Sequence, residues 1–107
     1  MSNARAVVLV TIKPSPVAAW FHHLLTTPIV EIDGREHVAK WGTAEIAVGP
    51  GDHRMSVYFR YRWQERARLA EASRQFSVEA VEDRVHIGVR LGPRNGSTFR
   101  IAEPVNR

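Results

Sequence analysis

The 107-residue chain contains no cysteine, which excludes a disulfide scaffold, a cysteine nucleophile and any thiolate metal site. Lysine is nearly missing as well: Lys13 and Lys40 stand against thirteen arginines. No apolar run approaches the ~18 residues that cross a bilayer as a helix. Residues Met1 to Arg5 lack the charged-then-apolar layout of a secretory leader, so the expected location is cytoplasmic, with peripheral membrane association still compatible.

What remains is the composition of an ordinary globular protein, with 44% hydrophobic and 24% charged residues in 12.1 kDa. That length makes one domain, 1–107, with loose ends expected at about 1–5 and 103–107. The net charge is +4 and the pI about 10.3, which permits anionic partners without requiring them. The arginine bias reads in two ways. Guanidinium binds phosphate or carboxylate bidentately, and the codons of a GC-rich genome favour arginine.

Short strands separated by turn residues dominate the chain, the layout of an all-β sandwich. Val7 to Ile12 is an unbroken apolar and β-branched run that Pro14 ends. Asp33-Gly34 joins two strands in a two-residue hairpin, placing Val30 and Ile32 on one face with His37, Ala39 and Trp41. The same register sets Glu31 opposite Glu36, a like-charge pair. Met55, Val57, Phe59, Tyr61 and Trp63 alternate with polar neighbours and predict a central strand, so Trp41 and Trp63 are expected in the core. Gln64 to Gln75 is ambiguous among loop, helix and strand; the reading adopted is a loop through Arg68 and then a long strand. Val85, Ile87, Val89 and Leu91 alternate again, and Thr98 to Ile101 fits a last edge strand. The sum is seven or eight mostly antiparallel short strands, with one short helix between the first two.

That helix rests on Val17, Trp20, Phe21, Leu24 and Leu25, spaced as one helical stripe, with Ser15 as N-cap and Thr26-Thr27-Pro28 as its close. Trp20, Phe21, Leu24 and Leu25 serve either as a plug on one open end of the fold or as a partner-contact stripe.

Catalytic signals are weak. No serine sits in a Gly-x-Ser-x-Gly elbow, and His22, His23, His37, His53 and His86 show no metal-ligand spacing. Gly49-Pro50-Gly51 lacks the Lys-Ser/Thr of a phosphate loop. Neither a cofactor nor a metal is expected. Alternation does place Tyr58, Arg60 and Arg62 outward on one strand, and His86, Gly88 and Arg90 outward on another. If those strands share a sheet, Tyr58, Arg60, Arg62, His86 and Arg90 form a candidate anion-binding face with a depression at Gly88. The plainer alternative is a solvated face whose arginines are neutralised by Glu65, Glu71 or Glu79.

Ile32-Asp33-Gly34, Trp41-Gly42 and Val48-Gly49-Pro50-Gly51-Asp52-His53 resemble small uncharacterised β-sandwich proteins of high-GC bacteria. The order is also similar to PEGA and prealbumin-like (carboxypeptidase-regulatory-like) modules, over roughly Val30 to Val89. The resemblance implies an Ig-like, non-catalytic accessory domain and carries no site residues. The expectation is therefore a non-enzymatic protein-interaction module that acts through an exposed surface. Another protein is the expected partner, and homo-oligomer formation is compatible. The alternative is a binder of nucleic acid or anionic lipid, and a small hydrolase comes third.

Overall fold

A computed structural model of the chain describes residues 6–14, 25–79, 84–91 and 98–106. In chain order the strands are β1 (Ala6–Lys13), β2 (Thr26–Ile32), β3 (Arg35–Val38), β4 (Gly42–Val48), β5 (Gly51–Tyr61), β6 (Leu69–Val78), β7 (Arg84–Leu91), β8 (Phe99–Ile101) and β9 (Val105–Asn106). One sheet runs β4-β1-β7-β8, with β9 also on β7; the other runs β3-β2-β5-β6. Every pairing is antiparallel except β1 with β7.

The inward residues of both sheets form one cluster, from Val8, Val10 and Ile12 on β1 and Val85, Ile87 and Val89 on β7 to Val30, Met55, Val57 and Phe76 opposite. The expected all-β, two-sheet architecture is therefore present, with the ninth strand added in the tail. Within the tail, Val105 and Asn106 pair with His86 and Val85. Together β8 and β9 follow one edge of β7, with one extra residue between them on the β8–β9 side.

The hairpin register is the one the turn dictates. Asp33 (φ 52°) and Gly34 (φ 84°) both take positive φ, and Glu31 faces Glu36. The loop through Arg68 followed by a long strand is also present.

Other expectations need correction. Thr26, Thr27 and Pro28 belong to β2 rather than to a helix end. Pro28 is tolerated because its carbonyl accepts from the Ala39 amide at 3.0 Å, just past the end of β3, so its missing N–H falls beyond the ladder. The helix residues Ser15 to Leu24, with Trp20, Phe21 and Leu24 among them, lie outside the described residues; Leu25 is half-buried, and its carbonyl accepts from the Arg62 amide. Trp63 is not core. β5 ends at Tyr61, a turn follows, and Trp63 stands 69% exposed with its ring stacked 4.8 Å from that of Tyr61. Trp41 does pack on the core, against Phe59 and Phe99, with its Nε1 donating to Thr26 Oγ1 at 3.1 Å.

Candidate functional site

The five residues expected to share a face are divided between the two sheets. Tyr58 and Arg60 stand on β5, Arg62 lies in the turn after it, and His86 and Arg90 are on β7. One continuous face of these residues is therefore excluded by topology.

On β5 itself, Tyr58 and Arg60 are engaged within the protein. Tyr58 points to the outer face yet is fully buried, because Arg68 lies over its ring at 4.1 Å. Its hydroxyl donates to Glu36, lies 3.3 Å from Glu31, and accepts from Arg68 at 3.3 Å. Arg68 forks onto both carboxylate oxygens of Glu31 at 2.9 and 3.0 Å and also pairs with Glu71. Arg60 pairs with Glu36 at 2.8 Å and donates to the Glu65 carbonyl.

The like-charged Glu31–Glu36 pair is thus held by two arginines and a tyrosine. Hydrogen bonding from Arg68 keeps Glu31 below the usual carboxylate range, and donation from Tyr58 does the same for Glu36. Burial, reinforced by Glu36, pushes the Tyr58 hydroxyl upward, so it stays neutral. This cluster has no cation left over for a ligand.

A second group forms at the turn end. His53 Nδ1 meets Asp33 Oδ2 at 2.6 Å, and Nε2 meets the Gly49 carbonyl at 2.7 Å. Asp33 Oδ1 accepts the Arg54 amide at 2.9 Å. Both ring nitrogens face acceptors, a need met in full only by the imidazolium. Burial works against that cation, but the hydrogen bonds to Asp33 and Gly49 outweigh it, and the His53 pKa is raised. Shallow depressions of about 280 and 440 Å³ flank the pair. Nε2, the ring nitrogen away from the carboxylate, is thus engaged by a backbone carbonyl.

The β7 part keeps its cations and gains two that the sequence reading did not include. Arg90 is paired across to Lys13 on β1 and to Arg100 on β8. All three are exposed, while their neighbours Ile12, Val89, Leu91 and Phe99 are buried. The three side chains therefore rise from one face as a row crossing three strands, spanning roughly 10 Å at ordinary strand spacing. None of them joins an ion pair among the described residues.

The next row on this face is small: Thr11 is paired with Gly88, and the Ala102 amide donates to the Gly88 carbonyl at 2.8 Å. Gly88 does leave the backbone open, although the Ala102 methyl borders it: a Cβ there would meet that group at 3.9 Å. Beyond lie His86 beside Leu9 and Val105, then Arg84 beside Val7. Glu45, paired with Leu9 on β4, is the carboxylate of this face among the described strand residues.

Lys13 and Arg100 were missed for a physical reason. Alternation places each outward on its own strand, but nothing in the sequence aligns β1 parallel to β7 or sets Arg100 of β8 opposite Arg90. A cation at the same phase of three strands was the available signal.

Among the described residues no group of three or more His, Asp or Glu side chains is placed to hold a metal, and no helix is long and apolar enough to cross a membrane. Comparison with family models, with curated proteins and with solved structures gives no match for this chain.

Proposed function

We propose that the protein is a non-enzymatic binding module whose anionic partner lies on the outer face of the β4-β1-β7-β8 sheet. The observation that carries this reading is the row Lys13–Arg90–Arg100, three exposed cations in direct cross-strand register. Like charges directly opposite each other destabilise a sheet by tenths of a kcal/mol to about 1 kcal/mol. An anion laid across the row removes that repulsion and gains charge-assisted hydrogen bonds from two guanidinium forks. The engaged Nε2 of His53 supports a non-catalytic role, and the hairpin and Pro-Gly turns support kinship with PEGA-like β-sandwich modules.

The test uses one substitution that separates binding from folding. Arg90→Glu converts the row to alternating charge, so the variant should be more stable, by about 0.2–1 kcal/mol, and should lose most of its retention on a polyanion column. Retention equal to that of the native protein would remove the proposal.

A protein partner has a separate observation in its favour. Val38 is 77% exposed on the edge strand β3 and lines a depression of about 440 Å³ together with Lys40, Trp41 and Arg62.

A further inference from the structure

We infer that the anionic partner is duplex nucleic acid, held by its phosphodiester backbone across the outer face of the β4-β1-β7-β8 sheet; this rests on the anion-binding reading above. The makeup of the face distinguishes among anions. Protein interfaces draw their energy from buried aromatic and apolar anchors, whereas duplex interfaces are polar and positively charged. At its described strand positions this face has one exposed large apolar residue, Val105. It carries no Phe, Tyr or Trp at those positions, so it lacks the stacking platform that holds single-stranded bases.

The relief of the face fits a rigid backbone. The cation row forms one wall, and the small residues Thr11, Gly88 and Ala102 form a floor beside it. His86 and Arg84 lie four and six residues from Arg90 on β7, about 13 and 20 Å along the strand. A second line of phosphates across a groove roughly 12 Å wide therefore also meets basic side chains. Contacts of this kind position a duplex without reading its bases.

The experiment is fluorescence anisotropy of the full chain with two labelled duplexes of unrelated sequence, at several salt concentrations. The competitors are the matching single strand, polyglutamate and phosphatidylserine vesicles. The expected result is affinity equal within roughly threefold for the two duplexes, stronger than for the single strand. The plot of log K against log salt should have a slope near −3.6, from about 0.9 per phosphate over four contacts, those of Lys13, Arg84, Arg90 and Arg100. Arg100→Gln should make that slope shallower by about 0.9, while Arg35→Gln on β3 leaves it unchanged. Tighter binding of polyglutamate or of vesicles would overturn the duplex assignment and leave the anion-binding reading in place. Binding to none of these polyanions would overturn both.

Discussion

His53 joins two turns through its ring. Nδ1 reaches Asp33 in the β2–β3 turn, and Nε2 reaches Gly49 before β5. The folded-state pKa of His53 is raised, so this link contributes its full stability below the ordinary value of about 6.5 and loses it as pH rises through the folded value. Asp33 behaves in the opposite sense. Hydrogen bonds from His53 and the Arg54 amide lower its pKa, so its contribution is present above the ordinary value of 3.8 and fades as pH falls through the folded value. Urea midpoints measured from about pH 5.5 to about pH 9 should therefore decline for the native protein across the upper half of that range. In His53→Gln that decline should be missing; parallel curves for the two proteins would contradict the assignment. The sequence named both residues but not their meeting, because twenty positions separate them and only the two adjoining turns bring them together. Tyr58 and Trp63 show the complementary limit. Alternation assigned them outside and inside, but a guanidinium from a neighbouring segment covered the first, and an early strand end released the second.

The β5–β6 pair changes register opposite Tyr58, between Val57–Ala72 and Phe59–Leu69. The extra residue lies on β6, where Ala70 takes a left-handed φ of 57°. Such a bulge re-aims side chains, and here Arg68 and Glu71 flank it and pair with each other, with the Arg68 guanidinium over the Tyr58 ring. An alanine at positive φ is strained by roughly 1 kcal/mol, so Ala70→Gly should leave stability equal or raise it by up to about 1 kcal/mol, in spite of the entropy that glycine adds to the unfolded chain. A loss above about 1 kcal/mol in thermal unfolding would show that the methyl packing outweighs the strain. Local rules succeeded where the structure is local. The Asp33-Gly34 turn determined the pairing of β2 with β3, and period-2 patterns located β5 and β7. The bulge was hidden because alanine, unlike glycine, does not advertise a positive φ.

At the scale of the molecule, function follows from which strands share a sheet. β5 and β7 carry similar outward arginines, but β5 lies in one sheet, where Glu36 takes up Arg60, and β7 lies in the other, beside Lys13 and Arg100. The parallel β1–β7 pairing brings Lys13 into the row that Arg90 forms with Arg100 across β7 and β8, and long-range pairing of this kind leaves no local mark in a sequence. Among the described residues, Arg60 and Arg68 on the β5 side are paired with Glu36, Glu31 and Glu71, whereas Lys13, Arg90 and Arg100 join no ion pair. The most direct test of this account is an amide chemical-shift titration of the labelled protein with a polyanion. Binding on the proposed face should shift the amides of Thr11, Lys13, Gly88, Arg90, Arg100 and Ala102 together, in proportion to one another and reversibly with salt. Shifts confined to Val38, Lys40 and Arg62 around the β3 edge, with the β7 face silent, would contradict it.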